Sequence, residues 1–71
     1  MIHSILFDKS IYDIESVKEY LIDYSYEILF SPIHIDENYG GYIRCYLIHL
    51  NFPGMRLSKV DREKGVILLK L

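Results

Sequence analysis

The chain has no tryptophan, one cysteine, two prolines and four glycines in 71 residues. Each shortage excludes something. A lone Cys45 rules out an internal disulfide. His3, His34 and His49 are scattered, without the close paired spacing of a zinc motif, so no metal site and no cofactor are expected. No apolar run approaches the 18 or more residues of a membrane span, which argues against a membrane partner. The opening apolar run breaks at Asp8 and Lys9. It has no basic lead and no small-residue cleavage site, so it does not read as an export signal. With one thiol and no such signal, the expected setting is reducing and intracellular.

The length allows one domain, residues 1–71. A chain of this size buries only about 60% of the surface its unfolded form exposes. Without a disulfide or a metal, stability must come from a well-packed core or from association.

Material for a core is present. Apolar residues make up 51% of the chain, with seven tyrosines and three phenylalanines. The formal net charge of −2 conceals an asymmetry. Residues 1–43 hold eight carboxylates against Lys9 and Lys18, a charge of −6. Residues 44–71 hold six lysines and arginines against Asp61 and Glu63, a charge of +4. This fits an acidic helix face and a basic strand edge. It also fits a basic region that meets phosphate or an acidic partner.

Met1 to Phe7 reads as a strand. Its run Ile5-Leu6-Phe7 lacks alternation, which suits a central position or cover on both faces. Asp13 is a good N-cap, and a helix is expected from Ile14 to about Tyr24. Ile14, Val17, Leu21 and Tyr24 draw its apolar stripe. Tyr26 to Phe30 reads as a second strand, interrupted at Ser31-Pro32 and resuming at Ile33-His34-Ile35. Residues 36–41 read as a turn, and Tyr42 to Leu50 as the clearest strand, so a hairpin is expected there. Asn51-Phe52-Pro53-Gly54 is a loop, Met55 to Val60 a short strand, 61–65 a charged turn and Val66 to Leu71 a final apolar strand. The expected fold class is α+β, with one amphipathic helix packed on a mostly antiparallel sheet of four or five strands.

No arrangement of residues signals catalysis. Cys45 and His49 share a strand face, but four strand steps separate them by about 13 Å, too far for a hydrogen bond. Asp36 and Glu37 read as solvated turn charges. Gly40-Gly41 lacks the lysine and helix of a phosphate loop. The candidate binding residues are Tyr42, Arg44 and Tyr46 on one strand face, extended by Arg56, Lys59 and Arg62. Aromatic rings on a sheet can stack on bases, and arginine can pair with phosphate or stack. Tyrosine and arginine are equally the usual anchors of a protein interface.

Several blocks of the chain resemble a small domain near the start of phage prohead-protease proteins. That domain also occurs as short stand-alone proteins of phages and large DNA viruses. The resemblance rests first on His3-Ser4-Ile5-Leu6-Phe7-Asp8-Lys9-Ser10, the helix around Val17, and Tyr20-Leu21, where the family has Trp-Leu. It continues in Tyr42-Ile43-Arg44-Cys45-Tyr46 and in Lys64-Gly65-Val66-Ile67-Leu68-Leu69. The glycine that follows the helix in the family is absent here, and the basic strand before the closing turn is thinner. What the resemblance implies is a viral accessory or virion-associated module, acting in the host cytoplasm or the virion, with no catalytic residue in the domain. Two functions follow as expectations. One is a non-enzymatic protein-interaction module that self-associates. The other is a nucleic-acid-binding module using the aromatic and arginine face.

Overall fold

Seven residues at the N-terminus, Ile2–Asp8, form strand β1, and the rest of the sheet is assembled on both of its edges. The computed structural model describes residues 1–24, 34–48 and 51–71. Within these, helix α1 spans Ile14–Asp23, and four further strands follow: β2, His34–Tyr39; β3, Tyr42–Tyr46; β4, Ser58–Glu63; and β5, Val66–Lys70. The strand order is β2-β3-β1-β5-β4, and every pairing is antiparallel. The fold is α+β, with one helix on a five-stranded antiparallel sheet among the described residues. The expected strand Tyr26 to Phe30, the Ser31-Pro32 interruption, Ile33, and the strand end at His49 and Leu50 lie outside them.

The non-alternating run Ile5-Leu6-Phe7 is explained by the central place of β1, where all three residues are buried. The polar residues after it make the turn into the helix. Asp8 Oδ1 accepts from the backbone N–H of Ser10 at 2.9 Å and from Ser10 Oγ at 2.7 Å. These bonds hold the Asp8 carboxyl below the ordinary carboxylate range. The last amides of the strand are shared between both hairpins. Asp8 N–H donates to Gly65 O at 2.9 Å, and Lys9 N–H donates to Gly41 O at 3.0 Å. Gly40 and Gly65 have φ of 62° and 83°, the backbone region that glycine enters without a Cβ penalty.

Helix α1 begins with a reciprocal cap. Asp13 accepts from Ser16 N–H at 2.8 Å, and Ser16 Oγ accepts from Asp13 N–H at 2.9 Å. Glu15 adds negative charge to the first turn, where the helix dipole favours it. Val17, Tyr20 and Leu21 are the buried residues of the helix. They pack on Ile5 and Phe7 of β1, Ile43 and Cys45 of β3, Leu47, and Val66 and Leu68 of β5. Phe7, Tyr12 and Tyr20 meet edge to face, with ring centroids 5.2 to 6.2 Å apart. Such pairs contribute about 0.5–1.5 kcal/mol each beyond area burial.

Four sequence expectations need correction. Tyr24 is not core. It is 45% exposed at the helix end and stacks on Tyr20 at 4.4 Å, while Tyr20 takes the buried position. Residues 36–39 continue β2, because only Gly40-Gly41 is needed to reverse the chain. Strand β4 occupies 58–63 instead of 55–60, and the charged residues 61–63 belong to it, with the turn confined to Lys64-Gly65. Strand β3 ends at Tyr46, after which Leu47 N–H and Ile48 N–H both turn to His3 O.

Candidate functional site: Arg44 on the second sheet face

Alternation along β3 divides its residues between the two faces. Ile43 and Cys45 enter the core beneath α1, so Tyr42, Arg44 and Tyr46 point to the opposite face. Arg44 there stands opposite Leu6 of β1 and Asp36 of β2, and Tyr46 stands opposite Ser4 and His34.

Ser4 lies two places before Leu6 on the same face of β1 and forms the floor of the site, just after a register shift. Between Ile2 and Ser4 the pairing with β5 slips, as at a β-bulge, where an extra residue re-aims its neighbours. His3 and Ser4 are consecutive, yet both are fully buried. Ser4 Oγ lies 3.2 Å from His3 Nδ1 and accepts from Arg44 Nε–H at 3.2 Å. The His3 ring meets Tyr46 edge-on at 6.0 Å.

Arg44 is only 9% exposed. An arginine in that position is costly unless its donors and its charge are answered. Part of the answer is the Ser4 bond. The rest is aromatic: the guanidinium carbon lies 4.7 Å from the ring centre of Tyr39 and 4.5 Å from that of Tyr46. Cation–π contacts of this kind strengthen when desolvated. Among the described residues no ion pair or further hydrogen bond engages the Nη groups, and no buried donor there lacks a partner. The guanidinium edge therefore faces a pocket of about 300 Å³, lined by His34, Asp36, Arg44, Tyr46 and Asn51. Asp36 does not close on Arg44; its Oδ1 accepts from the backbone N–H of Asn38 at 2.9 Å. His34 leans on the Tyr46 ring at 5.6 Å.

The expected binding residues are only partly brought together. Arg44 and Tyr46 meet, and Tyr42 shares their face. Lys59 lies on β4, three strand spacings from β3, which is about 14 Å across the sheet. Arg62 turns to the helix side, with its guanidinium 4.5 Å over the Tyr24 ring. Arg56 is exposed on the connection between β3 and β4. No continuous basic surface forms around Arg44 from these residues. Tyr39, His34, His3, Ser4 and Asn51 were absent from the sequence expectation. The His-Ser pair at the start of β1 was visible as a motif, but its meeting with Arg44 depends on a pairing across 40 residues.

Cys45 is fully buried, and burial pushes its thiol up to about 12, which disfavours the thiolate at neutral pH. Asp36 lies on the opposite sheet face from Cys45, since Ile35 is the residue paired with Cys45. Ser4 meets a histidine but is 0% exposed, where no substrate reaches it. Among the described residues no group of His, Cys, Asp and Glu is placed to hold a metal, and no helix is long and apolar enough to cross a membrane. Comparison with protein-family models, curated proteins and solved structures finds no match to this chain.

Proposed function

We propose that the protein is a non-catalytic protein-interaction module, and that Arg44 is its anchor for an acidic side chain of the partner. The observation that carries this reading is the state of Arg44. The residue is nine-tenths buried, and its guanidinium is held through Nε by Ser4 and flanked by Tyr39 and Tyr46, with its Nη edge toward the pocket. A planar, immobilised guanidinium has already lost the side-chain entropy that binding normally costs, and its fork matches a carboxylate through two parallel hydrogen bonds.

Two features favour a carboxylate over a nucleic-acid backbone. Asp36 shares the pocket, and its negative charge opposes a multiply charged strand while it can accept a donor from a peptide. The Tyr46 ring is crowded by Arg44, His34 and His3, leaving it poorly available to stack on a base. The likeness of the His3-to-Ser10 block and the later strands to the phage domain supports a viral accessory role, in the infected cell or the virion.

The test is an NMR titration of the ¹⁵N-labelled protein with an end-blocked Gly-Ser peptide carrying a single glutamate, inorganic phosphate and a mixed-sequence single-stranded RNA, at low and physiological salt. Saturable shifts at Ser4, Arg44 and Tyr46 with the peptide, lost in Arg44→Gln, are expected. Binding of RNA that persists at physiological salt, with no response to the peptide, would replace this reading with the nucleic-acid one.

A further inference from the structure

Strand β4 is an edge of the sheet, with β5 on one side and no strand on the other among the described residues. All six of its residues are exposed. We infer that this edge pairs with the same edge of a second copy, antiparallel, about a two-fold axis at Val60.

The apolarity of β5 is accounted for by its place between β1 and β4. The β4 edge carries a separate argument. Exposed sheet edges offer unpaired backbone groups, and charged residues normally guard them. The guard depends on register. When two copies of one strand pair around a two-fold axis perpendicular to a continuous sheet, the axis passes through one residue, which faces itself. Its neighbours then face each other.

The centres to compare are Val60, in the middle of the strand, and its two neighbours. An axis at Lys59 sets lysine opposite lysine, and an axis at Asp61 sets aspartate opposite aspartate. An axis at Val60 sets valine opposite valine and places Lys59 of each copy opposite Asp61 of the other. Like charges directly opposed destabilise a sheet pair, and opposite charges stabilise it. The charges on β4 thus oppose its two neighbouring registers and favour this one.

The faces agree with that choice. Lys59 and Asp61 are paired with Leu69 and Ile67, while Val60 is paired with Leu68, a core residue beneath the helix. Val60 is 39% exposed. Two valines meeting at the axis would cover that apolar surface and extend the core row from one copy into the next. Both helices would lie on the same side of the joined sheet. The interface is isologous, so it closes at two copies. It is also small, so the dimer is expected to be concentration-dependent. The Arg44 pocket opens from β2 and β3, at the far side of the sheet order, so this pairing is independent of what that pocket binds.

The experiment is sedimentation equilibrium across a concentration range at low salt, with charge-swapped variants. Lys59→Asp alone, or Asp61→Lys alone, creates two like-charge oppositions and should weaken the dimer roughly tenfold. The double variant K59D/D61K restores both pairs and should recover wild-type association. V60C should form a covalent dimer under mild oxidation, while the buried Cys45 does not contribute. All sites are exposed, so circular dichroism should show each variant folded. A wild-type protein that stays monomeric throughout the range overturns the proposal. So does a dimer indifferent to both single swaps, or one that the double swap does not rescue. Arg44→Gln should leave the dimer intact, so failure of pocket binding and failure of pairing are read separately.

Discussion

The phenolic O–H of Tyr20 donates to Glu63 Oε1 at 2.9 Å, joining the buried side of the helix to the end of the edge strand across 43 residues. This bond holds α1 over β4, where no pairing of backbone groups could do so. Replacing Tyr20 with phenylalanine keeps the ring packing on Phe7 and removes only the bond. A loss of about 0.5–1.5 kcal/mol is expected by urea denaturation. An unchanged midpoint would mean that solvent replaces the bond at no cost.

The same contact makes stability depend on alkaline pH. Burial first, and then the hydrogen bond to Glu63, raise the Tyr20 phenol above its ordinary value near 10. Burial also raises Tyr12, with the Glu63 charge adding to it. A folded-state value above the unfolded one means that the contribution is fully present below about pH 10 and is lost as pH rises further. Melting followed from pH 8 to 11 should show this fall in the wild type and a shallower one in Tyr20→Phe, where Tyr12 remains.

Leu21 and Ile22 are adjacent on the helix but differ in environment. Leu21 is 2% exposed and Ile22 is 56% exposed. Leu21→Ala should cost about 2–5 kcal/mol through lost transfer energy and a residual cavity. Ile22→Ala should stay within about 0.5 kcal/mol. Equal effects in thermal and chemical denaturation would contradict the packing of α1 on the sheet.

Gly40 and Gly65 both have positive φ, and only one is crowded. A Cβ on Gly40 meets nothing within 4 Å, whereas one on Gly65 would lie 2.9 Å from Ile11 Cδ1 and 3.3 Å from the Tyr12 ring. Gly40→Ala should therefore carry only the left-handed backbone cost, about 1–2 kcal/mol. Gly65→Ala should cost more, because Ile11 and Tyr12 must also shift. Comparing the two denaturation midpoints measures the difference.

Cys45 has no exposed surface, and its thiol is pushed up to about 12. Reaction with an aromatic disulfide reagent should be slow in the native protein and immediate in denaturant. Prompt modification under native conditions would show that the core at β3 opens readily.

Some elements were legible because their causes are local. The helix start at Asp13 follows from a cap that involves only Asp13 and Ser16. The reversal at Gly40-Gly41 follows from glycine's tolerance of positive φ. The central place of β1 was foreshadowed by a run with no polar position between Ile5 and Phe7. Expectations failed where burial is set by a distant partner. The spacing from Ile14 to Tyr24 describes a stripe on a cylinder, but only contact with the sheet decides which tyrosine is covered. Tyr20 lies against Phe7, and Tyr24 projects beyond toward Arg62. The charges of 61–63 read as a turn because an edge strand needs no apolar residues to remain paired on one side.

The candidate site follows the same division. That Tyr42, Arg44 and Tyr46 share a face is a consequence of strand alternation and was present in the order of residues. Which cations join them was not. Lys59 and Arg62 are near Arg44 in sequence pattern but lie on the far edge strand, and Arg62 turns to the helix side. By itself the sequence determined the helix start, the glycine reversals and the alternation of β3, because these depend on neighbours within a few residues. The tertiary structure alone decided that β1 separates β3 from β5, and that the β1–β3 register brings Ser4 beneath Arg44. Those relations join residues about 40 or more positions apart, where the energy of closing the chain is recovered only when the whole sheet forms.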